Sequence, residues 1–421
     1  MLPINSASPT IMHIDLNSCF ATIEQQAYPC LRGKPIVIAA YPTNGGCVLA
    51  PSIEAKKLGV KVGMTVRDAR ALCPTIIVRD PDPVMVRHVH RQFKSVVSNY
   101  AASVVPASID ELILNFTGTV AESRGLETIG QAIKHDIRTH IGEWLSCSIG
   151  IGTNRFLAKV GAGLQKPDGL VTITHKNLTP IYKTLTLTEL PGINTRYQAR
   201  LLAAGITSPI EFFEASIQTL KHTVFKSICG YYWFMRLRGW EIDVFDSSRK
   251  SFGQSYALSK QTDDKKELSR LIMKLTEKMG RRLRADGFEA YGNHLSMLYT
   301  DGTYWHHGHK FPRATGISPE LYRRTMLLFA KTQAKTVRTL AVSCFDLIKQ
   351  ERNQMTLFDD GDEKSEKLQS AVDHINDRFG EFVMTPALMM GMDDLILDRI
   401  AFGGVRDLEE LYSSVHSPST I

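Results

Sequence analysis

The period of hydrophobic and polar positions changes several times along this chain, and the changes divide it. Ile11 to Leu16 alternates as a strand does, and Ser18 to Gln26 has the spacing of a short helix. Pro29, Gly33 and Pro35 punctuate a turn before the apolar run Ile36 to Ala40, a buried strand. Helical spacing recurs over Ser52 to Leu58, Arg67 to Leu72 and, beyond Pro81 and Pro83, Met85 to Tyr100. Ser108 to Phe116 and Ser146 to Ile151 read as strands, with helical spacing between them from Gly125 to Trp144. These elements predict an α+β domain that carries a small insertion, preceded by a loose arm, Met1 to Thr10.

From Thr174 the pattern turns helical. Leu190 to Ile206 predicts helix, Gly-containing turn, helix, and short helices continue to Trp240. A third unit starts at Ser251. It reads strand (Ser251 to Leu258), helix (Lys265 to Asp286), strand (Gly292 to Thr300), helix (Pro319 to Thr332), strand (Thr336 to Phe345), the order of a split βαβ module. Residues 350 to 368 are polar and acidic with one apolar cluster, the character of a linker, and Leu368 to Arg378 suits one more helix.

At 421 residues the chain exceeds a single core and divides into domains. The net charge of +7 is unevenly placed. Lys250 to Lys349 holds 18 Lys/Arg against 9 Asp/Glu, a net +9, which leaves −2 for the rest. A basic segment beside a near-neutral body suits a polyanionic partner as well as it suits a solvated surface. The seven cysteines are scattered with no CxxC pair, which argues for reduced thiols. No apolar run approaches a membrane span and no secretory h-region is visible, so a cytoplasmic location is expected, with no membrane partner. His306, His307 and His309 cluster without a Cys or acid at ligand spacing, and a hydrated loop is expected there.

Asp15 ends an apolar strand, and Asp110 and Glu111 lie in Ser108-Ile109-Asp110-Glu111-Leu112. Carboxylates inside apolar strands are costly without a partner. Three of them converging would repel unless cations sat between them, and two magnesium ions in such a place can clamp the attacking and leaving oxygens of a phosphoryl transfer. Adjacent strand residues face opposite sides, so Asp110 and Glu111 can share a site only near a turn or bulge. Taken alone, the pattern favours solvated acids at strand ends.

A longer series weighs against that. His13-Ile14-Asp15 with Phe20-Ala21, then Leu31-Arg32-Gly33-Lys34-Pro35, then Ser108-Ile109-Asp110-Glu111, then Ser148-Ile149-Gly150-Ile151-Gly152-Thr153-Asn154-Arg155-Phe156-Leu157-Ala158-Lys159, then Lys166-Pro167-Asp168-Gly169 resembles the Y-family DNA polymerases, nearest the bacterial DNA polymerase IV branch, from Ile11 to Phe358. The resemblance implies a right hand of palm (1–17 and 84–173), fingers (18–83) and thumb (174–243), an added little finger (250–349), and a clamp-binding linker and tail (350–421). It implies template-directed synthesis from deoxynucleoside triphosphates on primer-template DNA, of the low-fidelity translesion kind, by a monomer. The alternative is a non-catalytic, polymerase-like adaptor, which would lack the metal-binding acids.

Residue by residue, the resemblance makes Asp15, Asp110, Glu111 and the Leu16 carbonyl the ligands of two Mg2+ ions. Phe20 becomes the wall that excludes a ribose 2′-hydroxyl, though an aromatic there also suits plain core packing. Lys56 and Lys166 become triphosphate contacts. Gly192 and Ile193, in Leu190-Pro191-Gly192-Ile193-Asn194, resemble a helix-hairpin-helix turn that meets phosphate. Lys274, Arg281 and Arg282 on the long helix, with Lys335 and Arg338 near the last strand, are the expected little-finger DNA contacts. Gln354-Met355-Thr356-Leu357-Phe358 is similar to sliding-clamp peptides, with Leu357 and Phe358 as anchors and Gln354 at the rim. The chain departs from the pattern at Asn17, where relatives often carry an acid, at Ile53, where a tyrosine is common, and at Lys56, which stands for an arginine. Leu112 and Asn115 depart as well.

Overall fold

The strand that organises the first half is β1 (Ile11–Leu16), whose residues are all buried except the half-buried Asp15. This is a computed structural model, and it describes residues 3–243, 249–349 and 362–396. The described residues fall into two compact units, one up to residue 243 and one from residue 249.

In the first unit β1 leads into α1 (Cys19–Ala27), β2 (Ile36–Ala39), β3 (Val48–Pro51), α2 (Ile53–Lys57), α3 (Val66–Leu72) and β4 (Ile77–Arg79). Strands β2, β3 and β4 make a small sheet, ordered β3-β2-β4, around Val37, Val48, Ala55, Val60 and Ala69. Then come α4 (Pro83–Ser98), β5 (Ser103–Pro106), β6 (Glu111–Asn115), α5 (Ala121–Arg124), α6 (Leu126–His140), β7 (Cys147–Gly152), α7 (Arg155–Leu164) and β8 (Leu170–Thr172). The main sheet is ordered β5-β6-β1-β7-β8. Its β1 is antiparallel to both neighbours, with Asp15 opposite Glu111 on one side and Ser148 on the other.

Alternation gives this sheet two unlike faces. Met12, Ile14, Leu16, Leu112, Leu114, Ile149 and Ile151 join Phe20, Ile23, Phe93, Val97, Ile133 and Ile137 in one apolar core. The opposite face carries His13, Asp15, Glu111, Ser148 and Gly150, and α7 packs against it. That approach needs Gly150, because a Cβ there would run into the backbone of Ala158, Gly161 and Ala162. The outer side of α7 begins a second core, Phe156, Leu157 and Val160 with Tyr182, Phe212, Trp233 and Phe234. Helices α8 (Leu178–Thr184), α9 (Thr195–Ala203), α10 (Pro209–Glu214) and α11 (Cys229–Leu237) supply it. The expected helix, turn, helix over Leu190 to Ile206 is instead a single 3-10 turn (Leu187–Glu189), a turn at Gly192 and then α9.

The second unit runs β9 (Ser251–Thr262), α12 (Lys265–Ala285), β10 (Phe288–Tyr299), β11 (Tyr304–Thr315), α13 (Ser318–Phe329), β12 (Val337–Lys349) and α14 (Asp362–Phe379). Its antiparallel sheet is ordered β11-β10-β12-β9. The split βαβ order is present with one strand more than the sequence pattern predicts. The histidine cluster, expected in a hydrated loop, lies in that extra strand, β11, where His306 Nδ1 is 3.3 Å from His294 Nε2 on β10.

Candidate active site

The three acids meet at one end of the main sheet. Asp15 and Glu111 are paired residues on β1 and β6. Asp110 sits in the turn before β6, where the N–H groups of Ala107 and Ser108 both donate to the Glu111 carbonyl and the Leu16 N–H donates to the Asp110 carbonyl. The turn frees Asp110 from strand alternation, so adjacent acids reach the same end. The Ser108 hydroxyl holds the Asp110 carboxylate at 2.5 Å. His13, Asp15 and Glu111 each offer a ligand atom within 4.8 Å of the others, whereas Asp110 is not part of that tightest group.

Three lysines balance this charge. Lys159 on α7 donates to both Glu111 oxygens, at 2.7 and 2.9 Å, and Lys166 donates to Asp15 at 2.6 Å. Burial pushes Glu111 up, but the His13 ring, 3.7 Å away, and the Lys159 ammonium outweigh it and bring its carboxyl down to about 2. Asp110 moves the other way: burial raises it against the Ser108 bond, and the charges of Asp15 and Glu111 add to the rise. Lys56 on α2 is lowered by burial and then by Lys166, while Asp15 and Asp110 oppose the change. A set of crowded carboxylates ringed by ammonium groups can take a divalent cation on its oxygens and a polyphosphate on its lysines.

Comparison with known proteins places the chain. The impB/mucB/samB family model matches residues 14–163, and the model of that family's C-terminal domain matches residues 249–357. DNA polymerase IV of Pelotomaculum thermopropionicum is 30% identical over 401 residues, covering 92% of this chain and 97% of that one. DNA polymerase IV 1 of Bacillus subtilis is 30% identical over 388 residues, covering 89% and 91%. The chain belongs to the Y-family DNA polymerases, in the DNA polymerase IV branch. The fold agrees: a solved Y-family DNA polymerase chimera, Dbh-Dpo4(243-245)-Dbh, superposes with a TM-score of 0.70 at 22% identity, over 80% of this chain and 99% of its own.

Against this Y-family frame the other expected residues fall into groups. Phe20, in the first turn of α1, is 2% exposed and belongs to the main core. Leu16 is equally buried. Lys56 lies one turn into α2, whose first residue is Ile53 and whose N-cap is Ser52. Gly192 has φ +90, a left-handed backbone that a side chain would strain, and it precedes Ile193 and the Asn194 cap of α9. In the second unit the expected DNA-contacting residues of α12 have partners within the chain. Lys274 is 5% exposed and donates to the Met392 carbonyl. Arg281 pairs with Asp377 at 2.7 Å and Arg282 donates to the Gly253 carbonyl. The segment that follows α14 lies along α12, and acids some 90 residues downstream take up donors that sequence spacing alone leaves open. Lys335 pairs with Asp301 at 2.9 Å on a half-exposed side chain, and Arg338 is exposed on β12. Gln354, Leu357 and Phe358 lie outside the described residues.

Sequence reasoning gave no role to His13, Ser108 or Lys159. Lys159 had a signal, a charge at a position of α7 flanked by buried Ala158 and Val160. His13 had one too, as a polar residue two before Asp15 on a strand buried on both sides.

Proposed function

We propose that this chain is a template-directed DNA polymerase that joins a deoxynucleoside triphosphate to a primer 3′-hydroxyl and works across damaged templates. The observation that carries the reading is the convergence of Asp15, Asp110 and Glu111 within a cradle of Lys56, Lys159 and Lys166. All three acids are present, which favours a catalyst over a DNA-binding adaptor.

The donor set fits hard divalent cations. Its oxygens are carboxylates, and the raised Asp110 carboxyl marks negative charge in excess of what burial tolerates. Asp15, Asp110, Glu111 and the Leu16 carbonyl would hold two Mg2+ ions. When bound, these would activate the 3′-hydroxyl and neutralise the pyrophosphate that leaves. Lys166 and Lys56 would orient the triphosphate, their flexible ammonium groups following its oxygens. Phe20, fixed by the core behind it, would wall off the sugar's 2′ position.

In this reading residues 1–17 and 84–173 are the palm, 18–83 the fingers, 174–243 the thumb and 250–349 the little finger. Gly192 and Ile193 would meet backbone phosphate, where contacts position a duplex without reading it. Lys335 and Arg338 are better placed for the same work than Lys274, Arg281 and Arg282. The peptide 354–358 would bind a sliding clamp. The enzyme would act as a monomer in the cytoplasm; among the described residues no helix is long and apolar enough to cross a membrane.

Primer extension with Mg2+ and each nucleotide tests the reading. The parent should extend a primer as its template directs, and Asp110→Ala or Glu111→Ala should abolish extension while primer-template binding stays near normal. Near-normal extension by either variant would falsify the assignment.

A further inference from the structure

Asn17 follows β1 and is 4% exposed. Its side chain reaches the loop that carries Lys166. The Asp168 N–H donates to Asn17 Oδ1 at 2.8 Å, and the Ser146 hydroxyl donates to the same oxygen at 3.1 Å. An N–H can only donate, so the amide atom facing Asp168 is the oxygen, and Nδ2 is left to donate to Ser148 Oγ at 2.9 Å. Ser148 in turn accepts from the Gly169 N–H at 3.4 Å. Both ends of the amide are therefore spent, and both serve to fasten the loop to the sheet.

The loop is fastened a second time from α6. The Asp168 carboxylate lies between Lys134, at 3.1 Å, and Arg138, and the Lys134 ammonium also reaches the Asp168 carbonyl. Asp168 has φ +60, a backbone state that a residue with a Cβ seldom keeps unless its surroundings impose it. Two residues upstream, Lys166 places its ammonium 2.6 Å from Asp15. A lysine on an unfastened loop would lose both loop and rotamer entropy each time it engaged a phosphate.

We propose that Asn17 is a positioning residue: by holding Asp168 it fixes the loop that aims Lys166 at the triphosphate. This rests on the polymerase reading, and it gives a use to one of the positions where the chain departs from the family pattern. An aspartate in its place could still accept from Asp168 and Ser146, but an alanine could do neither. The side-chain contacts of Asn17 run to the loop of Lys166, so its effect belongs to nucleotide binding, not to the grip on DNA.

Single-nucleotide insertion by the full chain with Mg2+ is the test, with Asn17→Ala, Asn17→Asp, Asp168→Ala and the Asn17/Asp168 double alanine variant. Losing an ordered contact of this kind should raise the dNTP KM on the order of tenfold for Asn17→Ala, with kcat and primer-template affinity within about threefold. Asp168→Ala keeps the backbone N–H that Asn17 accepts and removes the separate carboxylate tie to Lys134 and Arg138, so it should also raise KM by loosening the same loop. The double variant should be worse than either single one, because the two substitutions cut different ties on one loop. Asn17→Asp should recover most of the loss. A second measurement needs no turnover: the rate at which an amine-reactive acylating reagent labels Lys166, read by mass spectrometry against surface lysines. It should rise severalfold in Asn17→Ala and Asp168→Ala. A fall in kcat with KM unchanged in Asn17→Ala, or unaltered Lys166 labelling, would each overturn the proposal. A parent that extends no primer would overturn the polymerase reading instead, and the labelling would still decide whether Asn17 positions Lys166.

Discussion

Asp110 and Glu111 are neighbours in sequence with opposite electrostatic situations, and the turn between β5 and β6 is the cause. Glu111 starts the strand and faces Lys159, whereas Asp110 is half-buried in the turn with a hydroxyl for company and two carboxylates near by. The signs of the two shifts differ, so their linkage to stability differs as well. A carboxyl lowered in the folded state contributes stability that is present above its unfolded pKa and lost as pH falls through the folded value. For Glu111 that window runs from the ordinary carboxylate range down to about 2. A carboxyl raised in the folded state does the reverse and carries a penalty once the pH is high enough to ionise it. In metal-free buffer at pH 7, Asp110→Asn should therefore melt above the parent, and it should be inactive. The gain should disappear near pH 3, where the unfolded carboxyl is also protonated. Thermal melts at the two pH values decide this, and an Asp110→Asn chain that melts below the parent at pH 7 would contradict the burial penalty and repulsion described for this site.

At the scale of elements, what could be read in the sequence was what local pattern determines. The run Ile11 to Leu16 is β1 itself, and the spacing of Leu268, Leu271, Ile272, Leu275, Met279 and Leu283 is the buried face of α12. Strand β11 was not legible, because it lies at the sheet edge and only Thr315 among its residues is buried. An edge strand paired on one side needs no apolar alternation, and charged or polar side chains there discourage further pairing. The acids of the site were legible as residues, but their grouping came from register, which pairs positions 96 apart in the chain. The fate of the basic helix was illegible for the same reason. Arg284 on α12 makes a two-pronged contact with Asp373 on α14, at 2.5 and 2.8 Å, and also donates to the Gly316 carbonyl and the Ser318 hydroxyl. Each charge-assisted bond of this half-buried kind is worth roughly 1.5–3 kcal/mol. Arg284→Ala should lower the melting temperature of a fragment or full chain containing this unit, and Asp373→Ala should do so less, because Arg284 keeps its other acceptors. Equal melting of parent and Arg284→Ala would mean that α14 is not held to α12 through this contact.

Across the whole molecule, charge and chemistry are kept apart. The acids and the lysines that balance them lie in the first unit, and the net +9 of residues 250–349 lies in the second, where residues 362–396 offset it with 8 acidic and 3 basic side chains. A grip on DNA built on such charge would be sensitive to salt, and long products would then call for a tether that does not depend on charge. Gln354 to Phe358 lies between β12 and α14 in sequence. Burying Leu357 and Phe358 in an apolar pocket of a clamp would be worth roughly 1.5–3 kcal/mol for each side chain, less the cost of ordering the peptide. Tethering raises the effective concentration of the enzyme at the primer end without changing the insertion step. Replacing Leu357 and Phe358 together by Ala should leave single-nucleotide insertion unchanged when no clamp is present. With the cognate clamp loaded on the primer-template, the parent should make longer products than it does alone, and the double variant should fall back to the clamp-free length. If parent and variant respond to the clamp with equal product lengths, the tether lies elsewhere in the chain.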